Sequence, residues 1–134
     1  MGFDVDMDVA EDAIKAFGTD YMLDVAREEP AELIQAICKA CRYLDPEDAE
    51  KGKEKRAELL YNLAEEMADT LIIISELQEI WGIDDCTIQD IIDFKQVRTT
   101  KRIADKKAKE GAKTWTESYT ELKKSLLNLR TEKT

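Results

Sequence analysis

Apolar residues recur every three to four positions along most of this chain, and only two prolines and five glycines interrupt them. That period lines apolar side chains along one face of an α-helix, so the fold class is all-α, a helical bundle. At 134 residues the chain is one domain, large enough for a core and too short for two. Residues 1–20 read as an N-terminal lead-in, loose to residue 10, with a short helix from Glu11 to Phe17 closed by Gly18. Residues 21–109 form the main helical domain, and residues 110–134 a C-terminal helix or tail.

Within the main domain, Thr19 or Asp20 supplies an N-cap for a helix that runs from Tyr21 to Leu44, bent at Pro30. Asp45-Pro46 ends it. A solvated loop, Glu47 to Lys53, leads to a long helix from Glu54 to Trp81 that stops at Gly82. Its run Leu71-Ile72-Ile73-Ile74 is apolar nearly all round, which places it inside a bundle or a subunit interface. Asp84 or Asp85 caps a third helix from Thr87 to Lys109. Gly111 is expected to interrupt it before a last helix from Lys113 to Arg130, which carries Trp115, Tyr119, Leu122, Leu126 and Leu129 at spacings of three and four.

Two acid pairs sit where this periodicity places core: Glu29 with Glu32, and Glu66 with Asp69. Residues three apart share a helix face. At ~100° per residue, Leu33, Ala36, Ile37, Ala40 and Leu44 lie within about 80° of Glu29. Leu59, Leu63, Thr70, Ile73, Ile74, Leu77, Ile80 and Trp81 stand in the same relation to Glu66. Four carboxylates on two apolar faces repel one another and are poorly solvated unless a positive charge lies between them. All-oxygen ligands favour a hard ion, Mg²⁺ first and Mn²⁺ second. Such sites commonly act on phosphates, whose oxygens the ion bridges and whose charge it screens.

The charge is uneven. Residues 1–50 carry 14 acids against 4 bases, whereas residues 95–134 carry 5 against 12, on a chain of net charge −10. The acidic balance argues against binding a nucleic-acid polymer. The basic end can meet phosphates or the acidic part of another subunit. On the third helix, Ile88, Ile91 and Ile92 share an arc with Lys95, Arg98 and Arg102, long basic side chains suited to a triphosphate tail. Lys39, on the first long helix near Glu32, is a further donor. Glu28 and Glu65 flank the pairs at the edges of their faces. Trp81 and Tyr61 are expected to pack in the core rather than to stack on a base.

Cys38 and Cys41 have C-x-x-C spacing, but with no histidine in the chain and no second cysteine pair they read as buried free thiols rather than zinc ligands. No apolar run approaches a membrane span and no secretory leader opens the chain, so a reduced, cytoplasmic setting is expected.

The motif Glu28-Glu29-x-x-Glu32 followed by Glu66-x-x-Asp69, set in "AELIQAICKACRY" and "NLAEEMADTLIIISELQEIWGI" and followed by "IQDIIDFKQVRTTKRI", resembles the MazG-like all-α nucleoside triphosphate pyrophosphohydrolases. The likeness covers about residues 21–103, and it is closest to small, single-domain, phage-type members. It implies a four-helix active-site module completed by assembly into a homodimer or homotetramer, with Mg²⁺ held by Glu29, Glu32, Glu66 and Asp69. It also implies hydrolysis of a (deoxy)nucleoside triphosphate to the monophosphate and pyrophosphate, with Lys95 and Arg98 or Arg102 on the phosphates. The acids are expected to act mainly as ligands, and Glu28 or Glu65 to position the attacking water. Three features depart from the family pattern: Pro30 lies inside the first motif, the gap between the motifs is long, and Arg98-Thr99 replaces an Asn common after the third-helix Lys. The alternative is a non-catalytic helical interaction protein whose acids are ordinary surface charges and whose basic end docks on an acidic partner.

Overall fold

The structure, a computed structural model, describes residues 2–131, with residues 113 and 129–131 described by their backbone alone. Met1 of the lead-in, residues 132–134 of the tail and the side chain of Leu129 lie outside this description. Four α-helices follow in order: α1 Met7–Phe17, α2 Thr19–Tyr43, α3 Lys53–Trp81 and α4 Asp85–Thr131. The chain divides into two units, Met1–Asp84 with α1 to α3, and Asp85–Thr134 with α4.

α1 starts four residues earlier than the sequence suggests. The Asp6 carboxylate accepts the Asp8 N–H at 2.9 Å and caps the helix, which converts part of the expected loose lead-in into the first turn. Gly18, at φ 88°, then closes α1 with its N–H on the Ile14 carbonyl and serves directly as the N-cap of α2. Thr19 and Asp20 are therefore the first helical residues rather than caps. A single left-handed residue turns the chain between two helices, which leaves no room for a side-chain cap.

α2 passes through Pro30 without a break. Proline has no N–H, so the Ala26 carbonyl loses its usual partner there. The connection to α3 is built from short polar turns: Asp45 Oδ1 accepts the Glu47 N–H at 3.0 Å, and Asp48 Oδ1 accepts the Glu50 N–H at 3.1 Å. Gly52, at φ 71°, lies against the start of the same loop, where a Cβ would overlap the Tyr43 carbonyl oxygen. With Lys55 Nζ 4.7 Å from the centroid of the Tyr43 ring, the end of α2 is pinned beside the start of α3, so the two helices run antiparallel. Gly82 at φ 63° ends α3, with the Gly82 and Ile83 N–H groups both directed to the Gln78 carbonyl.

Packing in the first unit is of α2 on α3, with α1 against both. Buried apolar residues are few: Ala10, Met22, Ala36, Leu59 and Ile73 among the described residues. Of the run Leu71–Ile74 only Ile73 is buried, while Ile72 and Ile74 are exposed. Tyr61 and Trp81, expected in the core, are 73% and 61% exposed. Cys38, Cys41 and Cys86 are free, as expected of the first two, but all three are exposed rather than buried. Cys38 lies half a turn round α2 from Glu29, on the side away from the core face.

In the second unit α4 continues through Gly111, so the expected interruption is absent. Glycine in a helix interior costs only about 1 kcal/mol, and strong helix formers flank it on both sides. Ile91, Phe94, Val97, Trp115, Tyr119, Leu122 and Leu126 are exposed along it, with Trp115 and Tyr119 stacked at 5.6 Å. No helix among the described residues is long and apolar enough to cross a membrane.

Candidate functional site

The antiparallel pairing of α2 and α3 brings the two acid motifs face to face. Carboxylate oxygens of Glu29, Glu66 and Asp69 lie within 4.8 Å of one another, and all three side chains are half-buried. No other group of three or more acids or cysteines among the described residues converges as closely. None of the ion pairs among them, Lys15–Glu11, Arg27–Asp24, Lys53–Glu50 and Lys106–Glu110, reaches this cluster. Glu66 Oε2 is buried with no hydrogen-bond partner, while the Thr70 hydroxyl donates to the Glu66 backbone carbonyl at 2.8 Å and fixes the local turn of α3.

Uncompensated charge shows in the acidities. Loss of solvent pushes the Glu29 carboxyl above its ordinary range, and the charges of Asp69, Glu32, Glu66 and Glu28 push it further. Glu66 is raised in the same way, by desolvation first and then by Glu32, Asp69 and Glu65. Each shift favours the neutral acid, the response of partly desolvated carboxylates held close to one another.

Glu32 is exposed and stands outside the tight trio, although its charge is felt at both Glu29 and Glu66. It opens instead onto a polar groove of about 480 Å³ that also contains Glu66, Asn62, Lys39 and Arg42. Lys39 and Arg42 follow Glu32 by seven and ten residues, so one side of α2 presents an acid and then two bases. Glu28 and Glu65 are exposed beside the cluster. Lys95, Arg98 and Arg102 are exposed on α4, in the second unit.

Sequence reasoning missed three residues. Arg42 and Asn62 complete the polar groove. Glu76 is only 6% exposed, its Oε2 has no partner, and burial, then the Glu29 charge, pushes its carboxyl above the ordinary range. The signal was present in the spacing: Glu76 stands seven residues after Asp69, two helical turns along the same face. Comparison with protein-family models, curated proteins and solved structures finds no match.

Proposed function

We propose that this chain is an Mg²⁺-dependent nucleoside triphosphate pyrophosphohydrolase of the MazG-like all-α type, which converts a (d)NTP to the monophosphate and pyrophosphate. The observation that carries the reading is the convergence of Glu29, Glu66 and Asp69, none of them in an ion pair with a basic side chain among the described residues, beside a groove that holds Lys39 and Arg42. An orphaned buried carboxylate oxygen within an all-oxygen donor set suits a hard divalent ion. Glu29, Glu66 and Asp69 would hold Mg²⁺, or Mn²⁺, with Glu32 as the fourth ligand. When bound, the ion neutralises phosphate charge and polarises the phosphorus–oxygen bonds.

The chain's own groups account for the rest of the reaction. Glu28 or Glu65, exposed at the rim, orients a water and accepts its proton as the water oxygen bonds to phosphorus at the scissile anhydride. The bridging P–O bond breaks, and its electron pair leaves on pyrophosphate. Lys39 as a point charge and Arg42 as a fork hold that anion in the groove. Lys95, Arg98 and Arg102 are the further phosphate contacts that the family resemblance implies. A homodimer or homotetramer completes the four-helix module, a reading favoured by the exposed apolar residues Ile72 and Ile74 on α3 and by an α4 whose apolar side chains have no cover within their own unit.

The test is pyrophosphate release from a panel of canonical and modified (d)NTPs, with Mg²⁺ and with EDTA. Metal-dependent release of pyrophosphate with the monophosphate is expected, and its loss in the Glu66→Gln, Asp69→Asn double variant. Release of single phosphates overturns the cleavage position. No turnover of any nucleotide favours the helical interaction protein.

A further inference from the structure

A pocket of about 260 Å³ lies between the segment leading into α1, α1 itself and α3. Val5, Val9 and Ile72 give it apolar walls, and Asp4, Asp6 and Glu76 carry its polar groups. Its volume is below the roughly 300–1,000 Å³ of pockets that enclose drug-sized ligands, so it takes one planar ring system rather than a whole nucleotide.

Its carboxylates are not equivalent. Asp6 is committed to capping α1 through the Asp8 N–H, and Asp4 is exposed. Glu76 is buried, and its Oε2 lacks a partner. A buried acceptor left open costs free energy unless a ligand donates to it. A metal ion is a poor candidate for that donor. Asp4 and Asp6 do not join Glu76 in a group of ligand atoms within 4.8 Å, and most of the wall is hydrocarbon. Apolar faces with an acceptor at one edge match a nucleobase.

The position of the pocket along α3 gives the second part of the argument. Asn62, Glu66, Asp69 and Glu76 follow one another on one side of the helix. The first two line the polar groove with Lys39 and Arg42, and the middle two belong to the carboxylate cluster. Glu76 lies about 10 Å beyond Asp69 at 1.5 Å per residue, a nucleoside's length. The Glu29 charge is felt at Glu76, which stands two turns beyond Asp69 on the same face of α3. Lys39 and Arg42 in the groove, then the carboxylates, then the apolar pocket follow the order pyrophosphate, scissile anhydride, base in a triphosphate. Asp4 and Asp6 repel phosphate and so disfavour the reversed orientation.

We infer that this pocket receives the base of the bound nucleotide and that Glu76 selects a base with adjacent N–H donors, guanine before the others. Guanine offers N1–H and an exocyclic amino group side by side, which a carboxylate accepts together. Uracil and thymine present one N–H between two carbonyls that oppose it. The inference rests on the nucleotide reading of the adjoining cluster, and its test separates the two.

The test is equilibrium binding of the four uncharged ribonucleosides to the full chain in EDTA, followed by NMR, so that neither metal nor turnover enters. Guanosine should bind about tenfold more tightly than uridine, and Glu76→Gln should remove that preference, because an amide turns an N–H against the donor edge. Val9→Trp, at an exposed position of the wall on α1, should weaken guanosine binding while leaving the Glu76 carboxylate in place. Nucleoside affinities that are alike, absent at millimolar concentration, or unchanged in Glu76→Gln overturn the base pocket even where pyrophosphate release persists. Glu76-dependent guanosine binding by a chain that releases no pyrophosphate keeps the pocket and sinks the catalytic reading.

Discussion

Replacing Glu29 with glutamine should reverse its effect on stability when Mg²⁺ is added. Glu29 carries its charge with Glu66 and Asp69 oxygens no more than 4.8 Å away. At that distance two unit charges repel by about 0.9 kcal/mol even at the dielectric constant of water, 332/(80 × 4.8), so the two pairs together oppose folding by about 1.7 kcal/mol. Screening at physiological salt, with a Debye length of about 8 Å, reduces this to about 1 kcal/mol. Glutamine keeps the shape and removes the charge. In EDTA, Glu29→Gln should therefore melt about 3–5 °C above the unsubstituted protein.

With Mg²⁺ the ranking should invert. An ion at a hundredfold excess over its Kd stabilises the folded chain by about 2.7 kcal/mol, and Glu29→Gln forfeits most of that with one charged ligand gone. The assay is thermal unfolding by circular dichroism at constant ionic strength, with sodium replacing magnesium in the control. A variant that melts below the unsubstituted protein in EDTA would refute the repulsion argument. An equal rise of both proteins with Mg²⁺ would show that the ion acts on the general negative charge of −10 rather than at the cluster.

Glu76 predicts a pH dependence. In the folded chain its carboxyl is pushed above the ordinary 4.5, by burial first and the Glu29 charge second. The native state thus holds its proton more tightly than the unfolded chain, and stability falls as pH rises through 4.5 towards the raised value. Glu76→Gln should match the unsubstituted protein in Tm below pH 4.5 and exceed it increasingly above, in EDTA; a constant offset across pH would contradict this. Pro30→Ala restores an N–H to the Ala26 carbonyl inside α2 and should stabilise by about 1–3 kcal/mol in urea titration, with an unchanged midpoint counting against the argument. Gly52→Ala meets both the left-handed φ and the Tyr43 carbonyl and should lose more than about 2 kcal/mol, whereas Gly82→Ala, left-handed with open space around it, should lose about 1 kcal/mol. Equal losses in the two would mean that the loop yields at Tyr43.

Helices were legible because their signal is repeated: apolar residues return every turn over α2 and α3, and Gly82 stops α3 where the pattern stops. Single residues were less legible, since each competes with its surroundings. Gly18 and Gly111 carry the same side chain, yet one terminates a helix and the other sits inside α4. At Gly18 the chain must turn at once into the next helix. At Gly111 nothing forces a turn, and the neighbours' helix preference prevails. The acid faces were readable from spacing, because two residues three apart must share a side wherever the helix goes. Glu76 continues that face two turns beyond Asp69, but as a lone acid beside Leu77 it looks like the polar edge of a helix until α1 is packed over it. Arg42 and Asn62 escaped for a related reason: a groove between two helices belongs to neither helix's pattern.

Cluster and pocket share one physical character. Folding α2 against α3 forces Glu29, Glu66 and Asp69 together against their own repulsion, strands Glu66 Oε2 without a donor, and does the same to Glu76 further along α3. Pro30 stands within the first acid motif, where α2 forgoes a backbone hydrogen bond. A helical hairpin selected for stability alone would replace these acids with leucine or alanine, as its own neighbouring positions Leu63 and Ala36 show is compatible with the packing. The unpartnered carboxylate oxygens of Glu66 and Glu76 lie along one side of α3, with the bases Lys39 and Arg42 of α2 beyond one end. Accidental acids on an acidic protein would scatter over its solvated surface. Acids gathered on a half-buried seam are what the proposed function calls for, since a metal-bound nucleotide brings both a cation and a donor to it.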